Sequence, residues 1–165
     1  MSTFAPTPLR ISTITALCNI GCEVPLEDVY NYLQVNDVIQ FIQFKNFPDK
    51  GVPKKTKPKT KKKSFYNQMT ILLCLSDTRS INIKIFKNGQ LQMTGVKSNE
   101  EGNRAVELLI EELHLVMPKK YTFRKKDYRT VLINSDFSIG YKVNRKKLYL
   151  LLDQHYGMYV SYEPC

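Results

Sequence analysis

No apolar run in this sequence approaches the ~20 residues needed to span a bilayer, and the opening MSTFAPTPLR lacks the apolar core of a secretory signal, so an intracellular protein is expected. The four cysteines, Cys18, Cys22, Cys74 and Cys165, are too few and too scattered for a disulfide framework. Cys18 and Cys22 form a CxxxC with no second pair and no nearby histidine, which favours small buried thiols over a zinc site. Only two histidines occur, His114 and His155, without a serine or cysteine motif, paired carboxylates or metal-ligand spacing beside them. The sequence thus offers neither an enzyme's constellation nor a cofactor motif.

Acid is missing from one stretch altogether. The 165 residues carry 25 Lys+Arg against 15 Asp+Glu, a formal charge of +10. Lys50, Lys54, Lys55, Lys57, Lys59, Lys61, Lys62 and Lys63 lie within residues 50–63, where there is no Asp or Glu to offset them; subtracting those eight from +10 leaves +2 for the rest of the chain. Such a run reads as a phosphate-binding loop, a solvated face or a nuclear-import signal. With 42% hydrophobic and 11% aromatic residues, the remainder has the composition of a folded domain.

Periodicity supplies the elements. Leu9–Asn19 is rich in β-branched residues and free of Gly and Pro, which predicts a strand. Pro25–Leu33 places Leu26, Val29, Tyr30 and Leu33 on one helical face. Strands are predicted at Val38–Phe44 and Tyr66–Leu75, with an aperiodic Pro/Lys/Thr-rich excursion between them. Ile81, Ile83 and Ile85 alternate with Asn82, Lys84 and Phe86, and Leu91 and Met93 alternate with Gln90, Gln92 and Thr94. The Asn88-Gly89 between them marks a hairpin. Ser98-Asn-Glu-Glu101 has capping-box spacing and opens a helix with the stripe Val106, Leu109, Ile110 and Leu113, ending before Pro118. Its outer face is acidic: Glu100, Glu101, Glu107, Glu111 and Glu112 against Arg104. Together these predict an α+β domain: an antiparallel sheet with helices on one face and the other face open for a ligand.

The chain also repeats itself. Asn19–Tyr30 is echoed by Ser138–Tyr149 at an offset of 119, and Phe41–Phe44 by Tyr159–Tyr162 at an offset of 118. The expected organisation is a first repeat over residues 1–117, with a lysine-rich insertion at 48–64, then a basic linker at 118–127. That linker and its flanks hold Lys119, Lys120, Arg124, Lys125, Lys126 and Arg129. A second repeat begins at Tyr128 and is cut short at Cys165.

Three segments resemble the TATA-box-binding protein family. Ile11–Cys22 (ISTITALCNIGC) is similar to the opening strand of its core. Phe86–Ser98 (FKNGQLQMTGVKS) is similar to its Phe-x-x-Gly-Lys-x-x-x-Thr-Gly-Ala-Lys-Ser signature, and Asn134–Tyr149 with Ser161–Pro164 is similar to the start of its second repeat. The lysine-rich insertion and the divergence resemble members from large DNA viruses. The resemblance implies a saddle, a curved antiparallel sheet with helices on its convex face, that grips and bends promoter DNA through an A·T-rich minor groove and recruits general transcription factors and RNA polymerase. It places the protein in the nucleus or, for a viral member, in a cytoplasmic virus factory. This family is a standard example of apolar wedges kinking a duplex from the minor groove.

By the same resemblance, Phe86 is a wedge and Thr94 faces base edges. Thr13 and Thr15 stand where the family has a groove asparagine and a valine. Lys84 and Gln92 replace apolar groove-packing residues. The partner wedge falls at Met69 by ungapped counting or at Phe65 with a longer hairpin, and Phe65 is preferred. Asn134 is the candidate groove asparagine of the second repeat. Lys54, Lys55, Lys57, Lys59, Lys61, Lys62, Lys63 and Lys97 are expected on phosphates, the loop lysines occupying the family's stirrup. Two rival readings remain: a scaffold that keeps the fold but binds protein, and an accessory nucleic-acid-binding domain of a partner enzyme. An unpaired strand edge left by an incomplete second repeat would favour dimerisation.

Overall fold

The computed structural model describes residues 5–52 and 67–163. Two compact units divide the chain: residues 11–135, and residues 1–10 with 136–165. The larger holds nearly all of the sheet. Its strands are β1 (Arg10–Asn19), β2 (Ile39–Phe44), β3 (Lys50–Gly51), β4 (Gln68–Ser76), β5 (Arg79–Phe86), β6 (Gln90–Val96) and β7 (Lys126–Asp136), in the order β3-β2-β4-β5-β6-β1-β7. The central pairs are antiparallel. At the β1–β7 seam, Ser12 Oγ donates to Asn134 O at 3.0 Å and Cys18 Sγ to Lys126 O at 3.2 Å, so these strands also run in opposite directions. Helices α1 (Leu26–Tyr32) and α2 (Asn99–Val116) cover one face.

That face is where the alternating apolar residues go. Ile14, Ala16 and Cys18 of β1, Met69, Ile71 and Leu73 of β4, Ile81, Ile83 and Ile85 of β5, and Leu91 and Met93 of β6 are buried with Leu26 and Val29 of α1 and Val106, Leu109 and Leu113 of α2. This is the expected α+β layering. The Asn-Gly turn forms as predicted, with Gly89 at φ +80° and its N–H donating to Phe86 O at 3.0 Å. A side chain at Gly89 would also meet Cys22 O at 2.2 Å, so only glycine fits. Ser98 accepts from Glu101 N as a cap should, while the Glu101 carboxylate bonds Lys97 N and is held by Arg79 at 2.8 and 2.7 Å.

Two features add to the sequence reading. The basic linker is pinned: Phe123 is 1% exposed in the core, Arg124 N donates to Ile20 O at 2.9 Å, and Lys125 pairs with Glu107 at 2.6 Å. The strand after it, read as the start of a second repeat, completes the first unit's sheet beside β1. An edge strand gains ladder hydrogen bonds from whichever strand lies beside it, irrespective of the repeat to which that strand belongs.

In β7, Tyr128 packs on α2, and its hydroxyl is buried with no hydrogen-bond partner among the described residues. A Cβ at Gly102 would lie 2.1 Å from that oxygen. Gly→Ala inside a helix ordinarily stabilises by about 1 kcal/mol. Here the overlap reverses the sign, and Gly102→Ala is expected to destabilise by about 1–3 kcal/mol. Adding Tyr128→Phe removes the closest atom and should return part of the loss in thermal unfolding. A more stable Gly102→Ala protein would refute the contact.

The smaller unit contains α3 (Arg145–Leu150), capped by Asn144 accepting from Lys147 N at 3.0 Å, followed by a π-type turn over Leu151–His155. Thr7 and Ser138 exchange two hydrogen bonds, and Arg10 grips Asp136 through two bonds of 3.1 Å. α3 starts 119 residues after α1, matching the repeat offset. The echo of β2 at Tyr159–Tyr162 is not a strand, since a strand is defined by its ladder and no described neighbour pairs with it.

Candidate nucleic-acid interface

The sheet face away from the helices is built by the other half of each alternation. Across β2, β4, β5, β6 and β1, register aligns Gln43, Thr70, Lys84, Gln92 and Leu17 in one row. The next row runs Leu72, Asn82, Thr94 and Thr15. The sequence-predicted Lys84, Gln92, Thr94, Thr15 and Thr13 therefore share one surface. Thr13 sits beside the irregularity between Ile14 and Thr15, and its hydroxyl accepts from Gly95 N at 3.2 Å. Thr94 is exposed, and the others are half-buried.

Phe86 also lies on this face, at the end of β5 and half-buried, and its cross-strand neighbour is Gln68. Met69 is fully buried on the helix face, so ungapped counting leads to a core residue. Phe65 lies outside the described residues, as do Lys54, Lys55, Lys57, Lys59, Lys61, Lys62 and Lys63. Lys50 does not belong with that run, because its ammonium bonds Tyr30 O and Leu33 O at the end of α1. Burial lowers its pKa. The Lys97 ammonium is likewise engaged, with Ser12 O and Ile11 O.

Asn134 falls on the other side. Tyr128 packs on α2 and Thr130 Oγ1 donates to Asn99 Oδ1 at 2.7 Å, so the alternation along β7 puts Asn134 on the helix side and Ile133 on the open face. The displacement is one residue, which in a strand exchanges faces. Phe41 is an open-face residue that nothing in the sequence singled out. It pairs with Leu72, is 6% exposed, and stands apart from the helix-side core. The irregularity between Ile39 and Phe41 changes the phase of β2, and nothing in VIQFIQF announces it.

The electrostatics are segregated by layer. Strands β1 to β6 contain no Asp or Glu at all, and β7 brings only Asp127 and Asp136. At the sheet's margin, Asp49 accepts from Gln43 Nε2 at 3.0 Å. The acids of α2 are on the opposite face and mostly engaged: Glu101 with Arg79, Glu107 with Lys125, Glu111 with Arg104, and Glu112 with Asn36. Lys125 holds the Glu107 carboxyl below its usual range. Burial raises the Cys18 thiol, as expected for an inert core cysteine. Among the described residues the open face thus offers hydroxyls, amides, the Lys84 ammonium, the rings of Phe86 and Phe41 and the aliphatic Leu17 and Leu72, with acid confined to its margins. That set can meet phosphates, sugars and groove-floor acceptors.

The chain is 36% identical, over 176 aligned positions covering 90% of its length, to a "TATA-box-binding protein-like" protein of Acanthamoeba polyphaga mimivirus. It spans 46% of that relative's length. A solved TBP from Methanococcus jannaschii aligns at 18% identity over 79% of this chain and 54% of the other, with a TM-score of 0.43. No family model matches the chain.

Proposed function

Because the chain is a divergent member of the TATA-box-binding-protein-like family, we propose that it is a DNA-binding transcription factor whose open sheet face meets the minor groove of A·T-rich promoter duplex. The observation that supports this most is the absence of carboxylates from β1 to β6 beside the donors Gln43, Thr70, Lys84 and Gln92 in one row, since a polyanion is repelled by acid and held by donors. Phe86 is the wedge and Thr94, Thr15, Thr13 and Gln92 contact the groove. The lysines of 54–63 reach the phosphates on chemical grounds alone. Transcription factors and polymerase are the proposed protein partners, with the nucleus or a cytoplasmic virus factory as the site of action.

Titration of a fluorescent A·T-rich duplex at several salt concentrations tests this reading. Affinity should fall steeply with salt, log K against log[salt] having a slope of about −0.9 for each phosphate neutralised. No binding at low salt, with retained capture of a protein partner, would support the scaffold reading instead.

A further inference from the structure

Lys84 is on β5, the fourth of seven strands, with Thr70 on one side and Gln92 on the other. Its ammonium has no hydrogen bond or ion pair among the described residues, and no strand from β1 to β6 supplies a carboxylate to neutralise it. A half-buried ammonium with three donors and no protein partner is served by water until a ligand brings acceptors to it. We propose that Lys84 is a specificity-determining residue that disfavours G·C pairs where the open face meets the minor groove, an inference that rests on the DNA-binding reading above.

The reason lies in donor and acceptor chemistry. An ammonium carries three donors and no acceptor. The minor-groove floor of A·T shows only acceptors, adenine N3 and thymine O2, whereas G·C adds the guanine N2 amino donor. Guanine N3 and cytosine O2 are still acceptors, but the amino group that sits between them is a donor that an ammonium cannot accept from and that repels it. Its neighbours cannot discriminate in this way. Gln92 and Asn82 have both an amide donor and a carbonyl acceptor, and the hydroxyls of Thr70, Thr94 and Thr15 also play both roles. The narrow groove of A-tracts, with its enhanced negative potential, favours the ammonium further. A substitution that would weaken apolar packing on the floor thereby becomes a source of selectivity through charge.

The test measures binding of the chain to three duplexes that differ only in the pairs of the bound stretch: A·T, G·C and inosine·C. Inosine·C has the major groove of G·C but lacks the N2 amino group. The parent protein should bind A·T and inosine·C alike and G·C about tenfold more weakly. Lys84→Gln should bring the inosine·C to G·C ratio close to one, and Lys84→Arg should keep it. Equal binding of inosine·C and G·C by the parent, or an unchanged ratio in Lys84→Gln, overturns the proposal while leaving DNA binding intact. Absence of salt-dependent binding to all three duplexes overturns the DNA-binding reading itself.

Discussion

Phe123→Ala is expected to lower folding stability by about 3–5 kcal/mol, the usual cost of emptying a buried phenylalanine site. The ring is 1% exposed and packs near Tyr121, with centroids 6.2 Å apart, and His114, at 5.7 Å. It anchors the segment between α2 and β7, which otherwise holds on through Arg124 N to Ile20 O and the exposed Lys125–Glu107 pair. An exposed ion pair is screened by solvent and contributes little, so the ring dominates. Losing it should also loosen β7 from β1, detectable as faster amide exchange along Lys126–Asp136. Phe123→Leu keeps most of the volume and should lose less. Denaturant unfolding checks both. A Phe123→Ala protein within about 1 kcal/mol of the parent would mean that the ring is not the anchor.

Phe86→Ala should leave the fold largely intact and strike DNA binding instead. Phe86 sits on the open face, away from the core that Ile81, Ile83 and Ile85 share with the helices. Unstacking a base step costs a few kcal/mol, so a protein without its wedge forgoes the bend and the contacts that the bend permits. The expected result is a loss of about tenfold or more in affinity for bendable A·T-rich duplex, with a smaller bend angle in a circularisation or energy-transfer assay. Phe86→Leu should keep part of both. Unchanged affinity and bend in Phe86→Ala would remove the wedge assignment. Gln68 across from it shows that the second ring of a wedge pair does not come from that ladder position.

The sequence was legible where its signals are short-ranged. The β5–β6 hairpin followed from strict alternation and Asn88-Gly89, and α2 from its Ser98 cap and leucine stripe. These determine a backbone within about ten residues of themselves. The face carrying Lys84, Gln92 and Thr94 came with the hairpin, because one buried set fixes the other. Phe41 and Asn134 were not legible for the opposite reason. An irregularity in β2 and the phase of β7 against α2 each turn on contacts far away in sequence, and a shift of one residue changes the face. Phe123 was hidden inside a basic cluster, where the lysines and arginines drew the reading toward a basic linker. The insertion before β4 also defeated counting, which is why Met69, a core residue, competed for the place opposite Phe86.

The central claim is that duplex DNA meets the open sheet face and not the helix face. Site-specific photocrosslinking tests it directly, with a benzophenone side chain placed at Gln92 in one protein and at the exposed Glu111 of α2 in another. Each is irradiated with a labelled A·T-rich duplex at low and high salt. The account predicts a crosslink from position 92 that fades as salt rises, and none from position 111. A crosslink from 111 with none from 92, in a protein that binds the duplex, would contradict it.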